Sequence, residues 1–191
     1  MSSQVFEAPR QGLNPRQAET VEKLLVAGLE ELRAVGHEAL TVRTVAQRAG
    51  VSPATAYTYL ASKTHLFAEL FWRHLTSAEL ARAAAGTAVE RLQATMRALT
   101  ARIVEEPALA AAVTPALLGT DPDVERLRLK IGGEFLSRFE AAMGEQADAG
   151  VLEVLVLTFS GALLQAGMGL MTYDQIAERL VAAVDVIMRG N

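Results

Sequence analysis

The chain contains no cysteine. That absence removes disulfide frameworks, zinc–thiolate centres and thiol nucleophiles together, and it suits a cytoplasmic protein. Lysine is scarce as well, with three residues against fifteen arginines. The three histidines, His37, His65 and His74, are scattered. His65 and Glu69 have the spacing of a helical ligand pair, but no third ligand converges on them, so no metal site is expected. With Arg73 they read more simply as a solvated ladder on one helix face. There is no glycine-rich phosphate loop and no nucleophile elbow. Without a convergent acid–base pair, no catalytic residues, no cofactor and no enzymatic activity are predicted. Alternating strand patterns, internal repeats, low-complexity tracts and Pro/Gly-rich linkers are also missing. The N-terminal MSSQVFEAPRQGL has no apolar h-region, so residues 1–13 read as a flexible tail rather than a secretory signal.

What remains is helix. Of 191 residues, 51% are hydrophobic and 21% charged, a globular composition with enough chain to bury a core. Capping residues followed by proline occur at Asn14-Pro15, Ser52-Pro53, Thr114-Pro115 and Asp121-Pro122, the pattern of a helix start. Thr172 and Gln175 form a capping box. Together with apolar positions at helical spacing, such as Val42, Val45, Ala46 and Ala49, these signals predict helices over 15–35, 42–49, 53–60, 63–85, 88–105, 108–118, 122–144, 150–168 and 173–188. The expected fold is all-α, in two parts. Residues 14–62 form a three-helix unit and 63–191 a larger helical body, with the fourth helix as connector.

The first part carries the most specific pattern. In VRTVAQRAGVSPATAYTYL, residues 42–60, a short helix ends at Gly50, Val51 points into a junction and Ser52 caps the next helix. This is the order of a helix-turn-helix. At 100° per residue, Ala56 and Leu60 face inward, while Ala54 and Thr58 lie opposite. Tyr57 and Tyr59 flank that outer face, about 160° apart. A small polar face with tyrosines at its edges fits a major groove between two phosphate backbones. Small residues then read base edges, while Thr41, Arg43, the tyrosines and Lys63 hold position. Net charge over the whole chain is −4, yet residues 40–75 carry Arg43, Arg48, Lys63 and Arg73 against Glu69 alone. Local charge is what phosphates meet.

The segment LTVRTVAQRAGVSPATAYTYLASKTHLFAEL, residues 40–70, resembles the DNA-binding segment of the TetR family of bacterial transcription regulators. The match runs through Thr41, Arg43, Val45, Ala46, Ala49, Gly50, Val51, Ser52, Thr55, Tyr57, Tyr59, Ser62, Lys63 and Leu66. Leu60 departs from it, standing where phenylalanine is usual. The resemblance implies an all-helical homodimer of nine or ten helices with DNA bound by the first three. It implies a body that holds a small-molecule pocket and dimerises through its last two helices. Ligand binding would move the fourth helix and release an inverted-repeat operator. By the same resemblance, Ser52, Thr55, Tyr57, Tyr59 and Lys63 match positions that touch phosphates. Arg43, Ala54 and Thr58 match positions that reach bases or backbone.

In the body, VLEVLVLTFSGALLQAGMGLM (151–171) is long and apolar, but it contains Glu153 and Gln165 and lacks basic anchors. It reads as a dimer helix rather than a membrane span, using Ser160, Gly161 and Leu164, with Ile176, Leu180 and Val184 from the last helix beside it. A helix buried in a monomer core fits the same pattern. Candidate pocket residues are Met96, Leu99, Ile103, Leu117, Phe135, Phe139 and Phe159, with Trp72, Thr100 and Gln93 as polar edges. Each is more often plain core than a ligand contact, because a buried apolar stripe is the default for any helix. The absence of a basic cluster points to a largely apolar effector. Gly132-Gly133 marks either a bend or a close helix contact. Two functions fit: a DNA-binding repressor released by a small ligand, or a helical ligand- or protein-binding module that keeps the helix-turn-helix as scaffold.

Overall fold

The structure, a computed structural model, describes residues 14–77 and 85–189. The predicted tail and the predicted continuation of the fourth helix through 78–84 lie outside the described residues. Within them nine α-helices follow one another and no strand occurs. They are α1 (Pro15–Ala39), α2 (Val42–Arg48), α3 (Pro53–Tyr59), α4 (Lys63–Thr76), α5 (Ala88–Val104), α6 (Pro107–Leu118), α7 (Pro122–Met143), α8 (Ala149–Gly167) and α9 (Tyr173–Met188).

Local chemistry explains most of the boundaries. The side chains of Asn14, Thr41, Ser52, Ser62, Thr87, Asp121, Asp148 and Thr172 each accept a backbone N–H from the first turn of the helix that follows. Such a bond contributes about 1 kcal/mol by satisfying an amide that has no partner inside the helix. Helix α1 is interrupted at Gly36, whose φ of 76° no longer follows the helix, so the predicted end at 35 coincides with a kink.

Three local expectations fail. Thr114-Pro115 has the form of a start signal but lies in the last turn of α6, which begins at Pro107 behind Glu106. There the missing amide of Pro115 costs one bond, and the Thr114 hydroxyl turns back to the Ala110 carbonyl at 3.4 Å. Gly132 and Gly133 neither bend α7 nor admit a close neighbour; a Cβ at either would meet nothing within 4 Å. The ladder of His65, Glu69 and Arg73 is not a solvated face. Glu69 is buried, and the Arg73 guanidinium donates to it at 3.1 Å while also pairing with Glu22 of α1.

One continuous apolar cluster runs from Val21 and Leu24 in α1, through Val45 and Ala56, to Leu92, Phe139, Phe159 and Val184 in the body. Helix α5 packs against α7 and α9, α4 packs against α6 and α7, and α6 also reaches back to α1. Two glycines permit the closest crossings. A Cβ on Gly28 would stand 2.9 Å from Leu66, and one on Gly167 only 2.5 Å from Thr114. Both therefore set helix spacing.

Candidate nucleic-acid interface and apolar cavity

The turn between α2 and α3 closes on Gly50, with φ 68°. Its N–H donates to the Gln47 carbonyl at 3.2 Å, and the Val51 N–H to Ala46 at 3.0 Å. Those two bonds make a Schellman ending that satisfies the last carbonyls of α2. Ser52 then starts α3: its hydroxyl accepts the Thr55 amide at 3.0 Å and lies 2.8 Å from the Thr55 hydroxyl. Ala56 and Leu60 are buried against the core. Ser52, Ala54, Tyr57 and Thr58 are exposed, and Thr55 and Tyr59 are half-buried.

The two tyrosines thus divide. Tyr57 is 52% exposed and reaches outward, while Tyr59 packs its ring against the edge of the core. The Thr58 hydroxyl donates to the Ala54 carbonyl at 3.0 Å. Thr41 is the N-cap of α2, in a reciprocal box with Thr44. Arg43, the second residue of that helix, is exposed. The Lys63 ammonium donates to the carbonyls of His37 and Glu38, both at 3.2 Å, and so ties the start of α4 to the end of α1.

The charge reading is corrected by this packing. Arg48 donates to buried Glu31 at 2.7 Å, and Arg73 is bound to Glu22 and Glu69. Both arginines staple helices within the chain. Arg43 and Lys63 form no ion pair among the described residues, so they carry the positive field beside α3. Distance along the chain hid the partners, since Glu22 and Glu31 lie outside the window 40–75.

A cavity of about 250 Å³ opens in the body. Its walls are Phe71 of α4, Ile103 of α5, Val113 and Leu117 of α6, Ile131 and Phe135 of α7, and Leu163 and Leu164 of α8. Thr114, Arg128, Ser160 and Tyr173 supply its polar edge. Of the predicted pocket residues Ile103, Leu117 and Phe135 line it. Met96, Phe139 and Phe159 are fully buried core, the last two stacked edge to face at 5.6 Å. Thr100 is buried with its hydroxyl on the Met96 carbonyl at 2.8 Å. Trp72 packs both on the edge of the main core and on a small cluster of Ala68, Val124 and Leu127, under the Lys130 ammonium. Phe71, one residue away, faces the cavity instead. Periodicity marks which side of a helix is buried, and it cannot separate filled core from core left open.

The predicted dimer residues also divide. Ile176, Leu180 and Val184 are buried within the chain and cannot meet a partner. Gly161 is half-buried on the outer side of α8 and Ser160 is exposed. Leu164 borders the cavity. Around them Val154, Leu157 and Met168 are exposed. Val154, Leu157, Gly161, Leu164 and Met168 therefore form one outward apolar seam at heptad-like spacing.

Polar contacts at the two ends of α6 connect the cavity wall to α1 and to the start of α4. At its start, Arg33 of α1 pairs with Glu106, and the Arg33 Nε–Glu106 Oε2 distance is 3.0 Å. That pairing holds the Glu106 carboxyl below the usual carboxylate range against the opposing effect of burial. At its end, the Arg128 guanidinium donates to the carbonyls of Leu117 and Gly119, both at 2.7 Å. Two residues on, one oxygen of Asp121 caps α7 through the Asp123 amide. The other accepts the hydroxyls of Ser62 and Thr64, each at 2.6 Å. The turn after α6 thereby grips the first turn of α4, next to α3. Nothing in the linear sequence flags the Arg33–Glu106 pair or the bonds of Asp121 to Ser62 and Thr64, which span more than fifty residues.

The family model for bacterial regulatory proteins of the tetR family matches residues 24–70. An uncharacterized HTH-type transcriptional regulator of Mycobacterium tuberculosis is 41% identical over 179 residues, covering 93% of this chain and 84% of that protein. The HTH-type transcriptional repressor KstR of Mycolicibacterium smegmatis is 30% identical over 133 residues, covering 68% of this chain and 65% of that protein. Among solved structures, a TetR transcriptional regulator from Rhodococcus sp. RHA1 superposes with a TM-score of 0.75 at 19% identity, covering 93% of this chain and 99% of that one. A tetR-family regulator from Streptomyces coelicolor gives 0.67 at 15% identity, covering 94% and 82%. By its N-terminal segment, its fold and its relatives, the chain belongs to the TetR family and is a DNA-binding transcriptional regulator.

Proposed function

We propose that the chain is a cytoplasmic repressor that binds an inverted-repeat operator as a homodimer and is released by a small, largely apolar effector. The observation that carries this reading is α6. It forms one wall of the apolar cavity and is bound at both ends to the helices around the DNA-binding unit, through Arg33–Glu106 and through Asp121 with Ser62 and Thr64. An effector that fills the cavity displaces α6 and the turn behind it, and that turn carries the start of α4 and the placement of α3 with it. A repressor named KstR among the relatives supports the sign of regulation. Residues 14–62 serve as the DNA-binding domain and 63–191 as the effector and dimer domain.

Two copies would meet through the outward seam of α8. That helix has the length and hydropathy to cross a bilayer. However, its inner residues Leu155 and Phe159 are buried in the core, and Glu153 lies exposed on its outer side. A shared seam between two copies accounts for the apolar surface without a membrane.

On DNA, Ala54 and Thr58 face base edges, while Thr41, Arg43, Ser52, Thr55, Tyr57, Tyr59 and Lys63 position the helix on phosphates. The test is selection of bound duplexes from a random library at near-physiological salt. One enriched inverted repeat is expected. Arg43→Ala should then weaken binding to it and flatten the salt dependence by about one unit of slope, whereas Tyr57→Phe should weaken binding and leave the slope unchanged, because a neutral hydroxyl releases no counterion. A folded protein that enriches no sequence, even after refolding free of small molecules, would leave the scaffold reading in its place.

A further inference from the structure

The cavity's polar edge is one-sided in its chemistry. Among the described residues Arg128 is the one charged group that lines it, and no carboxylate does. Arg128 forms no ion pair among the described residues; Nε and Nη2 are held by the Leu117 and Gly119 carbonyls, and Nη1 has no partner there. Thr114 and Ser160 add hydroxyls, and Tyr173 adds a phenol. Burial pushes the Tyr173 phenol up from its ordinary value, so at neutral pH it stays protonated and donates. The Thr114 hydroxyl is already turned to the Ala110 carbonyl, so the selecting group is the guanidinium, a donor with no carboxylate beside it. It favours an acceptor-rich, negatively charged end, with the Ser160 and Tyr173 hydroxyls able to donate to the same end, and the rest of the wall selects hydrocarbon.

Building on the effector reading above, we propose that the cavity binds an apolar carboxylate, its hydrocarbon among Phe71, Ile103, Val113 and Phe135 and its carboxylate on Arg128. The volume bounds its size. At about 30 Å³ per non-hydrogen atom, taken from the share of a water molecule in the liquid, 250 Å³ holds about eight such atoms. Octanoate, with ten, is slightly larger, and the cavity is open to solvent on one side. Arg128 also joins the ligand to the response, because the same guanidinium fastens the end of α6, three residues before Asp121 would grip α4. A carboxylate on Nη1 draws on the group that holds this turn.

The experiment is calorimetric titration of the full chain with octanoate, 1-octanol and octylammonium at pH 7. Octanoate is expected to bind about tenfold or more tighter than octanol, with octylammonium weakest. In Arg128→Met the octanoate preference should collapse to within about twofold, while Arg128→Lys keeps part of it because the charge remains. The lysine variant decides the matter if loss of the α6 cap prevents the methionine variant from folding: no preference left for octanoate there, with octanol still bound, counts against the proposal. If octanol binds wild type as tightly as octanoate, or if Arg128→Met keeps the full preference, the carboxylate is refuted and the apolar effector reading stands. If none of the three binds, both fall.

Discussion

Replacing Asp121 tests the connection between the cavity and the DNA-binding unit most directly. Its carboxylate caps α7 through the Asp123 amide at 3.0 Å and accepts two hydroxyls, from Ser62 and Thr64, at 2.6 Å. Asp121→Ala removes all three bonds. A hydrogen bond to a charged group contributes about 1.5–3 kcal/mol and a helix cap about 1. The site is only partly buried and water replaces some of this, so the expected loss is about 2–3 kcal/mol. For a chain of this size that lowers Tm by about 4–12 °C. Asp121→Asn keeps the cap acceptor and offers the hydroxyls an amide, so about 1 kcal/mol should be lost. The pH dependence follows from the same contacts. Burial works to raise the Asp121 pKa, but the Ser62 and Thr64 hydroxyls and the Asp123 amide outweigh it and hold the group below the usual carboxylate range. A depressed pKa means stability that is present above the unfolded value, about 4, and is lost as the pH falls through the folded value. The gap between wild type and Asp121→Asn should therefore be complete at neutral pH and close below about pH 4. Thermal unfolding followed by circular dichroism across pH measures it, and operator affinity at pH 7 measures the coupling. A Tm within 1 °C of wild type for Asp121→Ala, or unchanged operator affinity, would refute the grip of this turn on α4.

Other perturbations probe separate parts of the argument. Arg48→Ala leaves the buried Glu31 carboxylate unpaired and should cost about 1–2 kcal/mol, whereas Arg43→Ala should leave Tm unchanged; equal shifts would contradict the division of the basic residues into staples and DNA contacts. Gly167→Ala drives a Cβ into Thr114 and should cost about 1–3 kcal/mol of overpacking. Adding Thr114→Ala should recover part of that loss, and no recovery would mean the crossing of α6 and α8 is not set there. Leu157, 65% exposed on the outer side of α8, should tolerate glutamate without loss of helicity; light scattering is expected to show a monomer, and an unchanged dimer mass would move the interface elsewhere.

The helix starts were legible because caps are local: Asn14, Ser52 and Thr172 each act on amides within three residues, and so did the Gly50 turn. The same locality misled at Thr114-Pro115, where the cap-like pair ends a helix that Pro107 had already begun. The inward side of α3 was readable from its wheel. What the linear order could not show was where each buried face goes. Ile176, Leu180 and Val184 form an apolar stripe whether they meet α5 or a second copy, and only the packing of α9 placed them inside the chain. Phe71 and Trp72 are neighbours, yet a 100° rotation puts one on the cavity and the other on Val124. The partners of Arg48, Arg73, Arg128 and Asp121 likewise come from other helices. Sequence alone determined the helices, their order and the recognition turn, since those depend on interactions a few residues long. Only tertiary structure decided the cavity, the ion pairs and the route between them, because these depend on how helices rotate and cross.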